Sequence, residues 1–263
     1  VKRIVAIVAP LLILAGALYV YFQVSPVTDN QAAPPPPSPQ ALAQARTLYE
    51  ASLAGAPEFQ LFFDHLKTAY PSDFDRFQHV ELTALADRLP QNISADAILL
   101  DSVDLLRKSR GLQATKASDK SLDHIFEVQA RVLDALASQD ARLCDHFLFG
   151  GDAPAFADFS SKNRPLIAEM AQSGLDAITD GEAKNTQREA PGDEDFALLE
   201  KSLTAAGLNP QEISALLDGQ MPETPFDKAR TCAIGKSYYG AMATLTPDTK
   251  YRIYALALES MAQ

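Results

Sequence analysis

The stretch SLDHIFEVQARVLDALASQ, residues 121–139, decides how the chain is read. Leu122, Ile125, Val132, Leu133 and Leu136 fall on one face of a 3.6-residue helix, while Asp123, Glu127, Arg131 and Asp134 face away. Glu127 and Arg131 are spaced four apart, the favourable order for an ion pair on a helix surface. The spacing predicts a helix over 118–139. Similar stripes occur on both sides of it: Leu99, Val103 and Leu106; Phe196, Leu199 and Leu203; and Tyr251, Tyr254, Leu258 and Met261.

Helix-start chemistry repeats along the same stretches. Asn209-Pro210-Gln211-Glu212 and Thr224-Pro225-Phe226-Asp227 each offer a capping side chain, a proline at the first helical position and a carboxylate at the third. Thr246-Pro247-Asp248 is a close variant, and stops are expected at Gly207 and Gly219. The predicted helices are 40–54, 57–70, 73–89, 94–110, 118–139, 141–149, 162–179, 194–206, 210–218, 225–243 and 247–261. No segment beyond the N-terminal one shows a β-branched run alternating with period two, so essentially no sheet is expected. The fold class is therefore all-α, with about ten helices and no fixed repeat. The polar stretch from Thr179 to Asp195 reads either as a surface loop or as the seam between two lobes, and Gly150-Gly151 as a sharper break.

Residues 4–22 form an uncharged, mostly apolar run of nineteen, close to the roughly 20 that a membrane-spanning helix needs. Lys2 and Arg3 precede it, and no Lys or Arg follows until Arg46. The positive-inside rule then keeps the N-terminus cytoplasmic and places the rest outside. A cleaved signal peptide ending at Ala15-Gly16-Ala17 is the competing reading. The anchor is preferred because residues 18–22 continue the apolar run. The chain thus divides into an anchor or signal segment (1–24), a proline-rich spacer (25–39) and a helical extracytoplasmic domain (40–263). Consecutive prolines at 34–37 hold extended polyproline II geometry and lift a domain off a membrane surface.

The net charge is −11, of which Lys2, Arg3 and Asp29 contribute +1, leaving −12 on the remainder. A body that acidic, with no basic stripe, repels phosphate backbones, and nucleic acid is not an expected partner. Outside the cytoplasm the two cysteines, Cys144 and Cys232, are expected to pair as a disulfide.

Motifs for chemistry are sparse. Gly235-Lys236-Ser237 resembles the end of a phosphate-binding loop, but Arg230 stands where the earlier glycine is required. Glycine there is expected instead to let two helices pack closely. Asp64-His65, Asp123-His124 and Asp145-His146 are adjacent pairs whose side chains point about 100° apart on a helix. Asp75 and His79 share a face and suit an ion pair better than a metal. No zinc, haem, di-iron or serine-nucleophile signature occurs, and no cofactor is expected. A helical glycosidase would need a general-acid carboxyl, for which Glu81, Glu127 and Glu169 are the candidates. The densest aromatic cluster contains Phe59, Phe62 and Phe63 on one helical face, either as a core anchor or as a surface for a partner.

The order of anchor, proline-rich spacer and helical domain resembles the membrane-tethered steric foldases of secreted lipases. Of their Arg-x-x-Phe-Asp-Tyr signature, Phe63 and Asp64 match, while Gln60 and His65 replace the arginine and the tyrosine. That layout implies a chaperone as one alternative, and an envelope hydrolase is another. The reading adopted is a non-enzymatic, membrane-tethered module of a bacterial envelope, in the inner membrane with its body in the periplasm, that binds a protein partner.

Overall fold

The computed structural model describes residues 36–87, 94–149, 153–219 and 222–262, and among them it contains twelve α-helices, one 3-10 turn and no strand. The all-α expectation holds. The expected anchor, most of the spacer and the Gly150-Gly151 break lie outside the described residues. Among the described residues no helix is long and apolar enough to cross a membrane.

The N-terminal region comprises α1 (Pro39–Ala54), the 3-10 turn (Pro57–Phe59), α2 (Gln60–Ala69) and α3 (Pro71–Asp87). Helix α1 begins at Pro39, with Ser38 as its N-cap. The Ser38 hydroxyl accepts a hydrogen bond from the Ala41 N–H at 3.1 Å, and Pro39 occupies the first helical position, where its missing N–H costs nothing. The expected helix over 57–70 divides at Phe59 into the 3-10 turn and α2.

Next come α4 (Ala95–Ala114), α5 (Asp119–Gln139), α6 (Ala141–Phe149), α7 (Ala153–Lys162) and α8 (Arg164–Lys184). On α5 the buried face is wider than its stripe suggested, since Phe126 and Val128 join it. Glu127 is exposed and Arg131 reaches across to Glu169 on α8 at 2.6 Å, in place of the expected pairing within α5. Sequence reading missed α7, whose short span carries only Phe156 and Phe159 as large apolar residues. Helix α8 runs past the expected stop at 179, because the polar stretch begins as helix. It ends where Asn185 adopts a left-handed backbone at φ 48°, a conformation asparagine tolerates better than most residues.

The last four helices are α9 (Asp193–Ala205), α10 (Pro210–Asp218), α11 (Lys228–Ala243) and α12 (Pro247–Met261). Asn209 and Glu212 form the expected reciprocal capping box, and Gly219 closes α10 in the left-handed region at φ 66°. Helix α11 starts at Lys228 and not at 225. Asp227 is the stronger cap there, its carboxylate accepting from the Ala229 and Arg230 N–H groups.

Helix α8 lies at the centre. It packs against α4 and α5 along most of its length and also meets α2, the 3-10 turn and α7. Gly181 makes the closest crossing possible: a Cβ built there would stand 1.9 Å from the Gln113 carbonyl oxygen at the end of α4. Helix α11 packs on α6 and α5, and α12 on α4 and α5. Cys144 on α6 and Cys232 on α11 stand at disulfide distance with Cα atoms 5.2 Å apart, so the expected pair is met. Gly235 sits beside Leu133 and Leu148, as the close-packing reading anticipated.

Ion pairs tie the elements at their ends. Arg110 on α4 pairs with both Asp73 on α3 and Glu182 on α8, and the Tyr70 hydroxyl donates to the other oxygen of Glu182 at 2.9 Å. Asp96, 1% exposed, receives Arg164 at 2.9 Å and the Ser160 hydroxyl at 2.8 Å. The buried Asp96 carboxylate is tolerated because a charged and a neutral donor meet it together.

Candidate functional site

Where α4, α5, α8 and α12 converge, the apolar stripes do not close completely. They leave a partly open cavity of about 110 Å³. Small residues form part of its lining: Gly111 and Ala114 on α4, Ala171 and Gly174 on α8. A Cβ added at Gly174 would meet nothing within 4 Å. Val103, Leu106, Ile125, Leu258 and Met261, members of three of the stripes, supply much of the apolar lining.

The polar groups on this wall are few and mostly occupied. The Tyr239 hydroxyl donates to Gln129 Oε1 at 3.2 Å, and the Ser173 hydroxyl donates to the Met170 carbonyl at 2.8 Å. Burial, with Tyr238 and Tyr254 nearby, pushes the Tyr239 phenol well above its ordinary range, so it remains a neutral donor. Arg107 is different. Its side chain is 11% exposed; Nη2 donates to Asp104 at 2.5 Å and Nη1 to the Met261 carbonyl, while Nε is buried with no hydrogen-bond partner. A buried donor left unmatched costs about 1–3 kcal/mol. The residues lining this cavity include no carboxylate.

A second concavity, an open groove of about 370 Å³, runs between the 3-10 turn, α2, α5 and α8. Leu61 stands on its edge with 67% of its surface exposed, next to Phe62, Pro165 and Ala168, with Glu58, His124 and Glu169 as polar members. The three phenylalanines singled out in the sequence all turn inward: Phe59 and Phe62 are 1% exposed and Phe63 8%. Phe62 contributes to the groove wall, Phe62 and Phe63 meet edge to face, and Leu61 is the apolar side chain that α2 turns outward. Next to the groove, Gln172 Nε2 lies 2.8 Å from His65 Nδ1 and 2.6 Å from Asp176 Oδ1.

The carboxylates considered for acid catalysis are dispersed. Glu81 is buried on α3, Glu127 is exposed on α5, and Glu169 pairs with Arg131 at the groove. Asp75 and His79 are both exposed on α3. Among the described residues no group of three or more His, Cys, Asp or Glu side chains is arranged to hold a metal ion.

No protein-family model matches the chain, and neither a curated protein nor a solved structure matches it. Geometry and chemistry alone therefore carry the functional argument. Sequence reading did not single out Arg107, although a signal was present: it stands four residues after Val103 and four before Gly111, a charge on the cavity-facing side of an apolar stripe.

Proposed function

We propose that this chain is a non-enzymatic binding module tethered in a bacterial envelope, and that its helical body receives a protein partner along the groove beside Leu61. The observation that carries the reading is Leu61, 67% exposed at the edge of a groove whose floor includes buried Phe62. An exposed apolar side chain beside a preformed concavity suits an anchor residue from another protein better than it suits solvent. Acidic groups at the rim and a net charge of −11 favour a partner whose apolar anchor is flanked by basic residues.

Envelope placement rests on the apolar segment at 4–22 behind Lys2 and Arg3 and on the paired cysteines. The layout shared with tethered foldases keeps a chaperone as the second reading. An envelope hydrolase has less support, because the cavity lining offers arginine, glutamine, serine and tyrosine but no carboxyl for acid catalysis.

A photo-crosslinking amino acid installed in place of Leu61 in growing cells tests this. One discrete adduct is expected, lost or reduced at least tenfold when Ala168→Glu is added in the α8 part of the groove lining. Adducts with many unfolded secretory chains would select the chaperone reading. No adduct, or the same adducts from a crosslinker at Leu198 on α9, would overturn the groove as the partner site. Protease added to spheroplasts should digest the helical body, and its survival there would overturn the periplasmic placement.

A further inference from the structure

We propose that the central cavity is a binding site for a small apolar carboxylate, a short acyl chain or an aryl acid, whose carboxylate reaches Arg107. This is independent of the groove and of the tether.

Volume sets the scale of the ligand. The cavity measures about 110 Å³, somewhat smaller than the roughly 150 Å³ apolar cavity that suffices to bind benzene. An alkyl segment or a single ring fits that space, and the partial opening leaves room for a polar end to remain outside the apolar part. Lining chemistry agrees, with aliphatic, methionine and phenylalanine side chains dominating and a small number of polar groups placed among them.

Arg107 sets the chemistry of the polar end. Its two terminal nitrogens are engaged by Asp104 and by the Met261 carbonyl, and Nε is the buried donor with no partner. Asp104 also receives Lys108 at 2.6 Å, so these three side chains together carry one positive charge in excess. An anionic group in the cavity answers the excess positive charge beside it, which a neutral hydroxyl cannot do. Gly174 matters for the apolar end, since the space in front of it is empty to 4 Å.

The test uses the full chain in phospholipid nanodiscs, which avoids detergent competing for an apolar cavity, with methyl-13C methionine as the reporter. Met170 and Met261 line the cavity and Met242 does not. Hexanoate should shift the Met170 and Met261 methyl signals saturably and leave Met242 in place. Hexanol should bind about tenfold more weakly, the value of a charge-assisted hydrogen bond over a neutral one. Gly174→Leu should fill the space and abolish the hexanoate shifts while melting no lower than the parent, because it removes a helical glycine and an internal void together. If that variant fails to fold, the comparison of hexanoate with hexanol in the parent still decides. No methyl shift at millimolar hexanoate means that the cavity holds water alone and overturns the site. Equal affinity for hexanoate and hexanol overturns the role of Arg107, and hexanoate binding retained in folded Gly174→Leu overturns the location.

Discussion

Asp195 shows how much a single side chain contributes in this fold. Its carboxylate receives Arg252 through two nitrogens at 2.8 and 3.0 Å, the Thr249 hydroxyl at 2.7 Å and the Gly192 N–H at 2.9 Å, joining the start of α9 to α12. Arg252 above all holds the Asp195 carboxyl down at about 2, against the opposing effect of desolvation. A folded-state value below the unfolded one means stability that is complete above about pH 4 and lost as the pH falls through about 2. Asp195→Asn should therefore cost about 2 kcal/mol at pH 7, measured by urea denaturation, and the gap to the parent should narrow toward pH 2. A gap that stays constant across that range would assign the cost to packing. Glu212 is held down in the same way by Arg230 and the Asn209 N–H, so the same chemistry serves a second helix start.

At the scale of the element, α8 carries two glycines with opposite duties. Gly181 lies where α8 crosses the end of α4, and the atom that an added Cβ would strike is backbone, the Gln113 carbonyl oxygen at 1.9 Å. Backbone cannot rotate away, so Gly181→Ala should destabilise by about 2 kcal/mol or more, outweighing the roughly 1 kcal/mol that alanine contributes as a helix former. Two turns earlier, Gly174 faces open space. Gly174→Ala should stabilise by about 0.5–1 kcal/mol. Thermal melts of the two variants check both signs at once, and matching signs would disprove the assigned crossing geometry. Neither duty is legible from sequence, because a glycine inside a helical pattern looks the same whether it faces a backbone or a void.

For the whole molecule, the Cys144–Cys232 link closes 88 positions of sequence and joins α6 to α11. Constraint of so long a loop in the unfolded chain is worth about 3–5 kcal/mol. Both cysteines are buried, at 0% and 5% exposure. Thiol reductant should therefore act slowly on the native protein and quickly once denaturant opens it. The double variant Cys144→Ala/Cys232→Ala should lose about 3 kcal/mol of stability. Rapid reduction without denaturant would show that α6 and α11 separate readily, contrary to the packing seen between them. Away from that link, α4 and α8 meet at the central cavity through Ala114 and Ala171, and the space in front of Gly174 stays empty.

The sequence by itself determined that the body is helical, where most helices lie, which faces are apolar and that the two cysteines meet. Those features are local or compositional: a 3.6-residue period, a capping side chain three residues from its N–H, and a cysteine count of two. Its errors were also local in origin. Asp227 outcompeted Thr224 as a cap, Asn185 took the left-handed turn that ended α8, and α7 carried too few apolar residues to register. Only the tertiary structure decided that Phe59, Phe62 and Phe63 turn inward while Leu61 faces out, that Glu169 takes Arg131 from Glu127, and that Arg107 keeps one buried N–H unmatched beside an apolar cavity. Each depends on which distant helix arrives at a given face. Periodicity specifies that a face is to be buried, whereas the partner that covers it, and any space left uncovered, is set by how the twelve helices among the described residues pack together.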